Sequence, residues 1–137
     1  MSYLLDVNLL LASVWRSHAQ HAKASAWLDR QSSFATCPIA QLGFLRVSLS
    51  PGYRAAPEDA LAALEDLTSR KGSSFIADDL RPDRIPAVSS QADVTDAYLV
   101  SLAKAHGLKL ATLDDSLCAK DWARGIAENP LANPARR

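Results

Sequence analysis

Three aspartates stand where a carboxylate is best placed to do chemistry. Asp6 interrupts the apolar run YLLDVNLLLA, Asp96 lies in DVTDAYLV, and Asp114 closes LKLATLD with Asp115 beside it. Leucines flank Asp6 on both sides, and an unpaired carboxylate buried among them costs several kcal/mol. If the three acids converge they repel one another and drive their pKa values upward, a conflict that a divalent cation resolves. Carboxylate oxygens and water suit Mg²⁺ or Mn²⁺, and no clustered Cys and His set points to zinc. The reaction such a site serves best is hydrolysis of a phosphodiester.

Each acid also has a local explanation. Asp93 and Asp96 form a D-x-x-D pair with the spacing of an N-cap and the third residue of a capping box. Asp114 and Asp115 are placed to cap a short following helix, and Asp6 to cap a helix beginning near Asn8. Asn8 itself is placed either to hold Asp6 or a metal-bound water, or to start that helix.

The elements that would position these groups read as alternating strands and helices. SYLLDV is a short β-type run leading into NLLLASVWRSH, whose apolar residues recur at helical spacing. SHAQHAKASAWLDRQ reads as a second helix with Ser17 as its cap, SSFATCP as a strand, and Pro38 as the first turn of a helix over IAQLGFLRVSLS. The helix AAPEDALAALEDLTSRKG starts at Pro57 with Glu58 and Asp59 and ends at Arg70, Lys71 and Gly72, as the helix dipole favours. SSFIAD is a strand, DLRPDRIPAVSSQA a loop, DVTDAYLVSLAKAHG a helix closed by Gly107, LKLATLD a strand and DSLCAKDWAR a short helix. The tail from about residue 128, with NPLANPARR, reads as irregular. Such alternation predicts an α/β fold, a central parallel sheet flanked by helices. Ligands bind beyond the carboxyl ends of such strands, which is where Asp6 and Asp114 stand and where the helix start bearing Asp96 would lie.

Composition narrows the partners. The 137 residues suit a single domain, 1–137, and Lys plus Arg equals Asp plus Glu at 15 each. A formal charge of zero supplies no global attraction for nucleic acid or an anionic membrane, so any such contact needs a local patch. The N-terminal apolar run contains Asp6 and is too short for a signal or spanning helix, so a cytoplasmic protein without membrane contact is expected. Cys37 and Cys118 belong to no CxxC pattern and read as free buried thiols.

The blocks YLLDVNLLLA, CPIAQLGFLRV and VTDAYLVSLAKAHGLKLATLDDSL resemble, in order and spacing, the PIN domains, and specifically the VapC toxins of type II toxin–antitoxin modules. The likeness runs from Ser2 to about Leu117. It implies a PIN-like fold and a Mg²⁺- or Mn²⁺-dependent endoribonuclease site, with Asp6, Asp96 and Asp114 as metal ligands. Thr112 matches a small hydroxyl residue common at that position, and His21, Arg46 and Asp93 fall in commonly retained surroundings. The family usually carries a glutamate in the second block, where this chain has Gln41. An amide keeps a ligating oxygen but loses a charge and a proton acceptor, so metal affinity is expected to fall or a second metal to be lost. The alternative is that Gln41 is a surface residue and Glu58 or Glu65 supplies the acid.

The same likeness implies an RNA substrate, tRNA or other structured RNA among the candidates, a homodimer, and a VapB-like antitoxin that offers an Arg to the acids. Of the cations, Arg46 stands out for RNA binding, since it follows Gln41 on the same helix and its guanidinium suits a phosphate. His18 and His21, three apart on a helix, read as packing or a polar face rather than as a metal pair. The competing reading is a catalytically impaired RNA- or antitoxin-binding module. A phosphatase or receiver-type domain lacks the nucleophile-plus-lysine arrangement it needs.

Overall fold

The computed structural model describes residues 2–132, built on a sheet of five parallel strands. The first, β1 (Tyr3–Leu5), passes at once into α1 (Val7–Val14), followed by α2 (His21–Asp29), β2 (Phe34–Thr36), α3 (Pro38–Ser48), α4 (Pro57–Thr68) and β3 (Ser73–Phe75). A long connection with 3-10 turns at Pro82–Arg84 and Gln91–Asp93 reaches α5 (Val94–Ala105). Then come β4 (Lys109–Ala111), α6 (Asp115–Cys118), a 3-10 turn at Asp121–Ala123, and β5 (Ala127–Glu128).

The strands lie in the order β3-β2-β1-β4-β5. The chain therefore winds outward from β1 to β3, then returns to the far side of β1 and winds the other way. Crossovers between parallel strands are right-handed, so this reversal sends the earlier and later helices to opposite faces. The contacts agree: α1 packs on α2 and α3, α3 on α4, and α5 on β4 and the Asp121–Ala123 turn. Where the winding reverses, the loops leaving β1 and β4 diverge, and that switch point is where open α/β sheets hold ligands.

Burial on both sheet faces explains why β1, β2 and β4 read as apolar runs, whereas the edge strand β3 is largely exposed. Leu4, Leu5, Leu110 and Ala111 are fully buried, packed with Leu9, Leu10, Phe44, Leu99 and Leu102. Pro38 and Pro57 open α3 and α4 in the first helical turn, where a missing N–H leaves no bond unmade. Cys37 is buried and Cys118 half-buried, and both are free thiols. Burial pushes the Cys37 thiol up to about 11, with the charge of Asp78 adding to it, so it is not a nucleophile at neutral pH. Among the described residues, no helix is long and apolar enough to cross a membrane.

Local details depart from the sequence reading. The first helix starts at Val7 rather than Asn8 and ends at Val14, because Trp15 is extended. Ser17 does not cap α2. Its N-cap is Gln20, and the turn before it is held instead by His18, whose Nδ1 accepts from the Gln20 amide at 3.0 Å. No capping box forms at α5, since Asp93 makes no side-chain cap bond and its carboxylate faces Lys120 at 3.6 Å. β5 has no sequence signature; two residues suffice because β4 supplies the ladder, with Leu110 opposite Ala127. Of the expected irregular tail, residues 133–137 lie outside the described residues.

Two glycines separate steric from conformational cost. Gly72 has φ +90°, and a Cβ there would lie 2.1 Å from the Ser32 carbonyl oxygen. Gly107, at φ +69° just past α5, has open space around it. Gly72→Ala is expected to destabilise by about 3 kcal/mol and Gly107→Ala by about 1 kcal/mol. Urea unfolding of the two variants checks this, and equal losses would contradict the steric account.

Candidate active site

The carboxyl edges of β1 and β4 are joined through one hydroxyl. The Asp6 amide donates to the Ala111 carbonyl at 3.0 Å, which continues the β1–β4 ladder past the last strand residue. Directly beyond it, Thr112 Oγ1 donates to Asp6 Oδ2 at 2.8 Å. The same oxygen accepts from Asn8 Nδ2 at 3.1 Å and from the Asp114 amide at 3.2 Å. Asn8 Oδ1 in turn accepts from the Leu113 amide at 3.0 Å. Four of the residues singled out in the sequence, Asp6, Asn8, Thr112 and Asp114, thus form one network across more than a hundred residues of chain. Thr112 is fully buried and Asp6 nearly so.

Each acid has a helix start as its support. Asp6 is the N-cap of α1 and accepts from the Val7 amide at 2.8 Å through Oδ1. Asp114 is the N-cap of α6, where its Oδ1 takes the Leu117 amide at 3.1 Å and the Ser116 hydroxyl at 2.6 Å. Asp96 lies in the first turn of α5. The capping readings and the site reading therefore hold together: a carboxylate has two oxygens with two lone pairs each, and a cap uses only part of them. Both of those bonds fall on Asp114 Oδ1, and among the described residues nothing donates to the Asp96 carboxylate.

The electrostatics show that the three acids share one field. Burial raises the Asp96 carboxyl to about 6, and the charges of Asp6, Asp114 and Asp93 add to the shift. Burial likewise pushes Asp6 up, against the lowering effect of its Thr112 and Val7 bonds and with a further rise from Asp114. Asp114 is held below the usual range, first by its Ser116 bond and also by the positive charge of Lys120. Lys120 lies between Asp93 and Asp114 in charge terms and is only partly exposed. Sequence reasoning missed it, because a lysine at the end of a short helix carries no mark of what the fold brings opposite. Ser116 was legible in principle, two residues after a capping aspartate where a hydroxyl commonly bonds back.

The remaining predicted residues stand further out. Gln41 is half-buried on α3 and donates from Nε2 to Thr36 Oγ1 at 3.0 Å, which places it at the carboxyl end of β2, the strand next to β1. It makes no hydrogen bond to an aspartate, and Glu58 and Glu65 are exposed on α4. Arg46 projects from the last turn of α3, exposed and without an ion pair among the described residues. His21 Nδ1 bonds the Ala12 carbonyl oxygen at 2.8 Å and ties α2 to α1, so His18 and His21 have separate structural partners.

Whether a divalent cation fits can be judged from the donor set. Among the described residues no three His, Cys, Asp or Glu side chains close into a ready-made cage. A cation that keeps most of its waters needs only one or two direct carboxylates. An open group of three acids, two of them with raised pKa values, opposed by one engaged lysine, matches that demand.

Three comparisons bear on the chain. The PIN domain family model matches residues 3–123. Ribonuclease VapC38 of Mycobacterium tuberculosis is 39% identical over 118 residues, which cover 81% of this chain and 84% of that protein. Ribonuclease VapC39 of the same species is 37% identical over 139 residues, covering 93% and 99%. Among solved structures, the crystal structure of M. tuberculosis VapC20, described as a sarcin–ricin loop cleaving toxin, matches with a TM-score of 0.63 at 13% identity, covering 85% of this chain and 93% of that one. VapBC2 from Rickettsia felis, bound to a promoter DNA fragment, matches with a TM-score of 0.63 at 16% identity, covering 94% and 98%. At these identities the structural likeness is one of fold.

Two measurements probe the network. Thr112→Val leaves the Asn8 and Asp114 donors without an acceptor and Asp6 Oδ2 without a donor, and is expected to destabilise by about 3 kcal/mol, whereas Thr112→Ser should cost about 1 kcal/mol. For Asp96, the folded carboxyl binds its proton more tightly than the unfolded one, so ionisation at neutral pH is a penalty relieved as pH falls through about 6. Metal-free Asp96→Asn should therefore be more stable than the parent at pH 7.5 by about 1 kcal/mol, the shift being discounted for partial exposure. The gap should shrink as pH falls through about 6 and close only below about pH 3, where both folded and unfolded Asp96 are protonated; a gap independent of pH in thermal unfolding would refute this.

Proposed function

We propose that this chain, which belongs to the PIN-domain family and within it to the VapC ribonucleases, hydrolyses RNA phosphodiester bonds at the acidic switch point between β1 and β4. The observation that carries the reading is the shared field of Asp6, Asp96 and Asp114 at the carboxyl edge of the sheet. In this reading the three aspartates are the metal ligands, and the cation is Mg²⁺ or Mn²⁺.

The chain's own residues prepare the site. Thr112 and the Val7 amide fix both oxygens of Asp6, so its remaining lone pairs are held in one orientation. The Leu117 amide and the Ser116 hydroxyl hold Asp114 through Oδ1, and in this reading Oδ2 is the oxygen that turns to a ligand. Asp96 brings a carboxylate with no protein donor, which a cation stabilises more than any residue here can. Asn8 keeps the β1 and β4 loops in register, and Asp93 anchors Lys120 at the rim. The cation, when bound, supplies a more acidic water and stabilises charge on phosphorus and the leaving oxygen. The oxygen of water bonds to phosphorus as one phosphorus–ribose oxygen bond breaks, and in this reading the exposed Arg46 on α3 meets a flanking phosphate.

Gln41 is the basis of a second reading. A neutral amide stands where an acid would add ligating charge, so the domain would grip RNA or an antitoxin while cleaving weakly or not at all. The partners in either case are RNA, with tRNA among the candidates, a VapB-like antitoxin and a second copy of the chain, acting in the cytoplasm.

Labelled RNAs, including tRNA, incubated with the protein and Mg²⁺ or Mn²⁺ are expected to be cleaved in an EDTA-sensitive way. Asp6→Ala should lower the rate by about a hundredfold or more, as loss of a metal ligand implies. Asp6→Ala cleaving as fast as the parent would sink the proposal. Gln41→Glu separates the two readings: cleavage only by this variant would favour the impaired module.

A further inference from the structure

Away from the acids, α5 carries a second feature. A cleft of about 660 Å³ lies between its outer side and the connection that follows β3. Leu80, Ile85 and Trp122 give it apolar walls, and Ser101, Arg84 and Lys104 line it with polar groups. Its volume is within the range of small-ligand sites and ample for one nucleoside.

The charges around it are unequal in a telling way. Asp79, Asp83 and Asp121 on the flanking segments are each engaged, with His106 at 3.0 Å, Arg81 at 2.6 Å and Arg124 at 3.2 Å, whereas Asp78, on the same connection, makes no ion pair among the described residues and lies beside the Cys37 thiol. Arg84 and Lys104 are exposed and make no ion pair among the described residues. Two unspent cations therefore border an apolar cleft that holds an indole, in a chain whose net charge is zero. Anionic phosphate with a flat π-face attached is the chemistry that combination recognises, through charge at the cations and stacking at the ring.

Position ties the cleft to the acids. Asp96 is in the first turn of α5, while Ser101 and Lys104 lie further along the same helix. At 1.5 Å rise per residue, Asp96 and Lys104 are separated by roughly 12 Å along the axis. One rigid helix thus carries both the acidic end and the cationic one.

We propose that this cleft binds a single-stranded RNA nucleotide flanking the scissile bond, with Arg84 and Lys104 on its phosphates and a base against Trp122. This rests on the RNA-cleaving reading of the acidic site. The cleft is thereby an extended substrate site that compensates, locally, for the repulsion between RNA and the acids.

The test is binding of a fluorescent single-stranded RNA by the full chain, measured by anisotropy across a salt series with EDTA present to stop cleavage. Arg84→Ala/Lys104→Ala, both exposed and outside the acid network, should weaken binding by about tenfold or more and make the slope of log K against log salt shallower by roughly 1.4, for two phosphates on a single strand. RNA should quench tryptophan fluorescence in the parent and less in Trp122→Phe, which keeps an aromatic wall. Cleavage assays with Mn²⁺ should show a higher KM for a long RNA in the double variant and little change for the shortest RNA that is still cut. If the parent binds and cleaves RNA and the double variant matches it in affinity and slope, the cleft proposal alone fails. If the double variant keeps RNA affinity but loses binding of an acidic peptide, the cleft is a protein-docking site and the proposal is overturned. A parent that neither binds nor cleaves RNA overturns both readings.

Discussion

The structure at the switch point depends on where a single proton goes. The Thr112 hydroxyl has one, and at 2.8 Å it is given to Asp6 Oδ2. That leaves the oxygen to accept, which it does twice, from Asn8 and from the Asp114 amide. Turned instead toward Asn8 Oδ1, 3.5 Å away, the hydroxyl would set a lone pair against the carboxylate and exchange a short bond for a long one, so the arrangement with Asp6 as acceptor is the favoured one. In a buried, low-dielectric setting such a chain of bonds is strengthened by its neighbours and is costly to leave half-made. Asp6 from the first strand and Asp114 from the fourth are consequently placed by the same atom.

Helix starts complete the arrangement and make it tolerable. The amides at the beginning of α1 and α6 bond Asp6 and Asp114 directly, and the first turn of α5 carries Asp96. The partial positive charge of a helix N-terminus favours an anion by a few tenths of a kcal/mol to about 1 kcal/mol. That is less than burial and mutual repulsion cost the acids, as the raised pKa values of Asp6 and Asp96 show. A fold that retains this deficit keeps charge in reserve for a cation, and loses stability at the place where ligand binding can restore it.

How much was legible in the sequence follows from the range of the interactions. The parallel α/β architecture was readable because hydrophobic periodicity is local and strong in LLDV, SFAT and LKLA. Asp6, Asp96 and Asp114 were readable because their element ends share one edge of such a sheet, and the Thr112 and Asn8 placements became definite once β1 and β4 were neighbours. Asn8 was ambiguous between a local and a distant role until the Leu113 amide was found on its oxygen. β5 was invisible because two residues have no period to detect. Ser17 misled because a hydroxyl before a helix is only a candidate cap, and here the His18 ring makes the turn instead. Lys120 escaped for the reason that all tertiary ion pairs do: its partner Asp93 is set by packing.

A chain with no net charge that gathers aspartates at one sheet edge must place unpaired cations elsewhere, and any polyanion approaching that edge meets repulsion first. Arg46 on α3, and Arg84 and Lys104 beside α5, are exposed cations free of carboxylate partners among the described residues. Arg46 and Lys104 lie on helices that begin at or near the acidic edge and run away from it, and Arg84 borders the second of them. Attraction is thus displaced from the reacting position along two helices, and the acids are left to a cation that can both neutralise them and be shared with a phosphate. Gln41 fits this division as well: it removes one negative charge from the edge and, bonded to Thr36, remains a neutral oxygen beside β1's neighbour. On the proposed reading, weaker hold on a cation and weaker repulsion of RNA would follow from the same amide, so its effect on cleavage would be a balance between the two.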